Sequence, residues 1–160
     1  MRVPTTILAA VLAIAASAPA EAEVLRSKVA FNDSLKKKTA NQPAGGIETT
    51  FQLPVKGGDF DGCTVDATEQ LFARDKAAWG TFYGMAKTAC PNGDGFAWNF
   101  TGSWDDKGFH FAGTIVDGSG TGRFKGAKGR VAGIGGTAKP AANETFDIAY
   151  ELLVDIDGKP

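Results

Sequence analysis

The sequence predicts an all-β domain, an eight-stranded antiparallel barrel, and three observations carry that expectation. Apolar and polar residues alternate over long runs near both ends of the chain. Glycine is frequent, at 21 of 160 residues, and recurs between short alternating runs. Folded as a hairpin, the central runs set bulky aromatic side chains opposite glycines.

The terminal runs come first. In 47–55, Ile47, Thr49, Phe51, Leu53 and Val55 share one face, with Glu48, Thr50 and Gln52 on the other. In 144–156, Phe146, Ile148, Tyr150, Leu152, Val154 and Ile156 alternate with Thr145, Asp147, Glu151 and Asp155. A period of two over such lengths puts one face in a core and the other in water.

The middle of the chain predicts a hairpin, 95–104 with 109–116, turning at Asp105-Asp106-Lys107-Gly108. If Trp104 pairs with Phe109, then Gly102 faces Phe111, Phe100 faces Gly113 and Trp98 faces Ile115. Glycine leaves room for a bulky neighbour and lets the sheet bend. Phe96, Trp98, Phe100, Trp104, Phe109 and Phe111 then share one side, where most of the core is expected. Further strands over 24–31, 63–74, 79–90 and 129–137 bring the total to about eight. Closure into a barrel removes the exposed edges, and eight strands enclose a space that side chains or one small ligand can fill. A helix over 64–79 stays open as an alternative, because Asp66 and Glu69 stand at capping-box spacing with Leu71, Phe72, Ala78 and Trp79 on one side.

Residues 1–22 have the three parts of a secretory signal: Arg2, an uncharged run from Ile7 to Ala16, and a small-x-small site at Ala20 and Ala22. The uncharged run is shorter than the roughly 20 residues that span a bilayer. Cleavage before Glu23 leaves residues 23–160 as a single domain, secreted or periplasmic. The net charge of −1 offers no basic field for nucleic acid. Lys36, Lys37 and Lys38 lie in a polar stretch, 32–46, that reads as a solvated loop.

Cys63 and Cys90 are the only cysteines, and in an oxidising compartment they form one disulfide. With one histidine in the chain, they make no metal site. No metal or other cofactor is expected. A hairpin of 63–74 with 79–90 sets Cys63 opposite Cys90, Asp66 opposite Lys87, Leu71 opposite Phe82 and Arg74 opposite Trp79. Such pairs hold their Cα atoms about 4.5–5.5 Å apart, within disulfide range.

The segment 118–136 is the most distinctive. As a phosphate loop it lacks a GK[ST] ending and a following helix, and its spacing is not that of a dinucleotide fingerprint. Gly120-Thr121-Gly122-Arg123-Phe124-Lys125-Gly126-Ala127-Lys128-Gly129 resembles the GTGxFxGAxG signature of the allene oxide cyclase and dirigent-like barrels, a calycin-like group. The resemblance is specific over roughly 90–136. It implies a calycin-like barrel with Phe124 as its plug and the glycines in a tight turn. The motif is architectural, so it transfers fold and not activity.

The same hairpin register of 63–74 with 79–90 puts Glu69 in an apolar alternation opposite Gly84, where a barrel interior holds a general acid or base; a register shift would put it in water. Glu69 is therefore the candidate catalytic residue. Trp98, Phe100, Phe111 and Tyr150 are the candidate ligand-binding residues. Tyr83 and Tyr150 both read as amphipathic core residues, and His110 as exposed. Ser34, Ser103 and Ser119 stand in no triad pattern with a histidine. The leading expectation is a binding or dirigent-like protein for a small hydrophobic ligand. An isomerase or cyclase using Glu69, and a ligand-free extracellular interaction protein, remain open. Oligomeric state is not legible here.

The exported protein should begin at Glu23, or at Glu21 if cleavage follows Ala20. N-terminal sequencing decides this, and a mature chain starting at Met1 would refute it.

Overall fold

The computed structural model describes residues 23–33, 38–39, 46–74, 79–142 and 146–157; the expected signal segment lies outside them. The strands are β1 (Glu23–Asp33), β2 (Lys38–Thr39), β3 (Ile47–Pro54), β4 (Thr64–Arg74), β5 (Trp79–Ala89), β6 (Gly95–Asp105), β7 (Gly108–Ile115), β8 (Lys128–Pro140) and β9 (Phe146–Asp157). They form one antiparallel sheet in the order β1-β9-β8-β7-β6-β5-β4-β3-β2. Eight are long, as the alternation predicts. The two-residue β2 falls where a solvated loop was expected: Lys38 registers with Thr49 and Thr39 with Glu48.

The sheet curls until its ends meet, so the all-β, calycin-like barrel architecture holds. Closure is light: among the described residues, β1 is joined to the chain just past β3 by one bridge, Val29 to Val55. Beside it, the 3-10 turn Gly58–Phe60 seals the free edge of β1. The Phe60 N–H donates to Ser27 Oγ at 2.9 Å, and the Arg26 N–H donates to the Asp59 carboxylate at 2.7 Å. Side-chain acceptors thus satisfy backbone donors that a full ladder would have paired.

The register of β4 with β5 is the expected one. Asp66 stands opposite Lys87, Leu71 opposite Phe82, and Arg74 opposite Trp79. A strand over Thr64–Arg74 replaces the helical alternative; residues 75–78 lie outside the described chain. One step beyond the ladder, Cys63 and Cys90 are disulfide-bonded with Cα atoms 4.1 Å apart. Closing a loop of that length contributes about 3–4 kcal/mol in the chain-entropy model. A disulfide-bonded fold is compatible with an extracellular location. Among the described residues no helix is long and apolar enough to cross a membrane.

The β6–β7 hairpin also keeps its expected pairs, including Gly102 with Phe111 and Phe100 with Gly113. The glycines are spatially required. A Cβ on Gly102 would lie 2.4 Å from the Phe82 ring, and one on Gly133 would lie 2.1 Å from the Phe111 ring. Rings therefore occupy the space a side chain would need at these positions.

One end of the barrel is plugged. Phe60, Phe96 and Phe124 are almost wholly buried and meet with centroid separations of 4.9–5.9 Å. Phe124 reaches the plug from a 3-10 turn, Gly122–Phe124, within the glycine-rich motif. Gly122 has φ +57, and a Cβ there would collide with Asp94 Oδ1.

Phe124→Ala should cost about 3–5 kcal/mol as a large-to-small core change. Lys125→Ala, one residue on and exposed, should stay within about 0.5 kcal/mol. Denaturant titration compares them, and equal effects would mean that Phe124 is not the plug.

Candidate functional site

The other end of the barrel is built differently. Phe31 near the end of β1, Leu71 near the end of β4 and Trp104 near the end of β6 all lie at this end. Antiparallel pairing brings the starts of β7 and β9, with Phe109 and Ile148, to the same level. Phe51 of β3 joins Phe31, with ring centroids 6.3 Å apart. All six side chains are only partly buried, in contrast to the plug. They line an aromatic and aliphatic mouth.

Trp98, Phe100, Phe111 and Tyr150 lie beneath that mouth as one packed group. Trp98 and Phe111 stack at 5.7 Å, Phe100 and Phe111 lie at 5.6 Å, and Phe111 meets Tyr150 edge-on at 5.4 Å. Their exposures are 2–8 %, so they form the floor of the mouth and not its rim. The Trp98 Nε1–H donates to the buried Thr88 hydroxyl at 3.1 Å, which fixes the indole.

Glu69 keeps its expected place opposite Gly84, with no register shift, and is partly buried. The space over Gly84 does not serve it. A Cβ on Gly84 would fall 2.7 Å from the tip of the Phe100 ring, so the glycine makes room for that aromatic. What serves the carboxylate is Thr49, its cross-strand neighbour on β3. The Thr49 hydroxyl is 4 % exposed and donates to Glu69 Oε1 at 3.3 Å. The sequence placed Thr49 on the inward face of β3, but a threonine in a strand carries no signal that marks it as a carboxylate partner.

Tyr150 and Glu69 act on one another across the interior. Burial raises the Tyr150 phenol well above its ordinary value of 10.0, and the negative charge of Glu69 raises it further. β9 and β4 are not neighbours in the sheet, and Tyr150 and Glu69 both stand at inward positions of their strands. The phenol stays protonated and can donate, while the carboxylate, when ionised, accepts. The two therefore suit a ligand group that both accepts and donates.

Tyr83, expected in the core, lies on the outer wall at 52 % exposure. Phe82 takes the inward position, so strand parity sends Tyr83 outward. Ser103 and His110 also face outward, with hydroxyl and Nε2 3.5 Å apart. The basic side chains of the glycine-rich segment do not gather round an open anion site. Arg123 pairs with Asp94 at 3.2 Å, and its backbone N–H donates to the same carboxylate at 2.9 Å. The turn thus spends its anion-binding capacity on Asp94. A separate open cleft of about 440 Å³ lies along the outer side of β1, β8 and β9, touching the mouth residues only at Phe31 and Ile148.

Compared with family models and with curated proteins, the chain matches none.

The Tyr150 shift carries a signed consequence. Its folded value lies above its unfolded one, so its contribution to stability is complete below the ordinary phenol value and is lost as pH rises through the raised one. Tyr150→Phe should therefore lose less stability than the native protein between about pH 8 and pH 11. Urea titrations at both pH values test this; equal losses would contradict a buried phenol.

Proposed function

We propose that the chain is an exported barrel that binds one small, largely apolar ligand at its open end. On this reading it is a member of the allene oxide cyclase and dirigent-like group, secreted or periplasmic after removal of residues 1–22. The observation that carries the proposal is an inward carboxylate, Glu69, hydrogen-bonded to the buried Thr49 beneath a mouth of half-buried apolar side chains, with Tyr150 buried on the inward face of β9. Ligand sites combine a mostly apolar lining with a few fixed polar groups. Here the lining supplies affinity, and the carboxylate and phenol orient a hydroxyl or similar group.

A second reading rests on the same pair. A carboxylate that can accept a proton, facing a phenol that can donate one, is an acid–base arrangement for an isomerase or cyclase. The two readings part on turnover: the binding protein returns its ligand unchanged.

A neutral apolar dye, Nile red, should bind in a saturable way, and a medium-chain primary alcohol should displace it. Glu69→Gln should weaken the alcohol by about 10-fold or more, the range expected for a hydrogen bond to a charged group. The dye, which has no donor, should change by no more than about twofold. Unchanged alcohol affinity would overturn the site.

A further inference from the structure

Among the described residues, five large apolar side chains are strongly exposed, and three of them share one strand. Trp79, Tyr83 and Met85 stand on the outward face of β5 at 45, 52 and 58 % exposure. Phe72 of β4 stacks on Tyr83, with centroids 5.8 Å apart and planes at 19°, and widens the stripe. Single exposed apolar residues are ordinary, but a contiguous stripe in a polar frame marks an interaction surface. β5 is an interior strand whose backbone is paired on both sides. A partner must therefore dock on its side chains and cannot extend the sheet there.

The charge pattern identifies the partner. The outward positions of 68–72 on β4, 81–85 on β5 and 99–103 on β6 carry no charged side chain. Among the described residues of these three strands, charges stand at the two ends of the face, Asp66 and Lys87 at one, Arg74 and Asp105 at the other. Glu48 of β3 lies beyond its β4 edge and accepts from the Gln70 amide. Gln70 pairs with Tyr83 in the middle row. Asp66 and Arg74 lie four residues either side of Gln70, and Lys87 and Trp79 lie four residues either side of Tyr83. Each offset is about 13 Å along the strand.

We propose that this face binds a second copy of the chain as a two-fold dimer, with Tyr83 on the axis and β5 antiparallel across β5. The axis along the Gln70–Tyr83 row sets Arg74 of each copy against Asp66 of the other. It also sets Trp79 of each against Lys87 of the other, an ammonium over an indole. A two-fold contact must be self-complementary. Had positions 66 and 74 carried like charges, this axis would be forbidden. The barrel is convex across its strands, so the contact is confined to about three of them and lies at the small end of specific interfaces. The dimer is accordingly weak and concentration-dependent. It is independent of the ligand reading, since every residue used points away from the interior.

Sedimentation velocity across about a hundredfold range of protein concentration tests it. The native chain should pass from monomer to dimer. Arg74→Asp and Asp66→Arg should each weaken association by about 10-fold or more, because each opposes like charges twice per dimer. An equimolar mixture of the two variants should associate as the native chain does, since their heterodimer regains two opposite-charge pairs. Tyr83→Glu and, separately, Met85→Asp should abolish association while circular dichroism stays native. A native chain that remains monomeric throughout overturns the proposal, as does a mixture no better than either variant alone. Capture of a different protein or a polysaccharide by the face of a monomeric native chain overturns it as well.

Discussion

Everything in this barrel depends on fitting aromatic rings into a narrow curled sheet. Large side chains on every inward position would overfill the interior, and overpacking is as destabilising as a void. The sequence answers by placing glycine where a neighbouring ring must lie. Phe82 lies over Gly102, Phe111 over Gly133 and Phe100 over Gly84. The same glycines let the sheet bend tightly enough for β1 to reach β3. Packing and curvature are therefore one constraint met twice by the same residues.

That constraint makes the central strands legible in the sequence. In a hairpin one pairing fixes all the others, so a single choice, Trp104 with Phe109, gives the whole β6–β7 ladder. The β4–β5 ladder follows in the same way from its unlike charges, and it brings the cysteines together without further assumption. The particular contacts that close the barrel were not legible. Val29 meets Val55, and Ser27 meets Phe60, through contacts between segments that no local turn sets in register. Nothing in the spacing of those residues distinguishes them from other valines and serines on inward faces.

The placement of the candidate residues was legible in part for the same reason. Alternation assigns Glu69 to the interior and Tyr150 to the opposite wall, but alternation says nothing about depth. Trp98 and Phe100 look the same in sequence as Trp104 and Phe109, yet the first two are floor and the others rim. Depth is decided by where each strand lies along the barrel axis, and that depends on tilt and on the ends where the sheet closes. Tyr83 shows the limit from the other side. Residue type alone recommended it for the core, while the parity of Phe82, its neighbour on the strand, sends it outward.

The two ends of the barrel differ in packing, and on the proposed reading stability concentrates at one and binding at the other. At the plugged end, rings are almost wholly buried, a disulfide ties β4 to β5, and Asp94 satisfies the glycine-rich turn. At the mouth, the apolar side chains are half exposed and a carboxylate accepts from a threonine hydroxyl. Local stability follows buried apolar contact, so it falls from one end to the other, and binding regions are drawn from the less stable end. The β4–β5 hairpin runs the full length of this gradient. Cys63 anchors it among the most buried residues, and Glu69 lies about 20 Å further along the same strand. The anchor holds the position of Glu69 in register, while the proposed ligand would enter where the packing is looser. A barrel plugged at both ends would be more stable and would have nowhere to bind. One plugged at neither would lose the register that keeps Glu69 on the inward face.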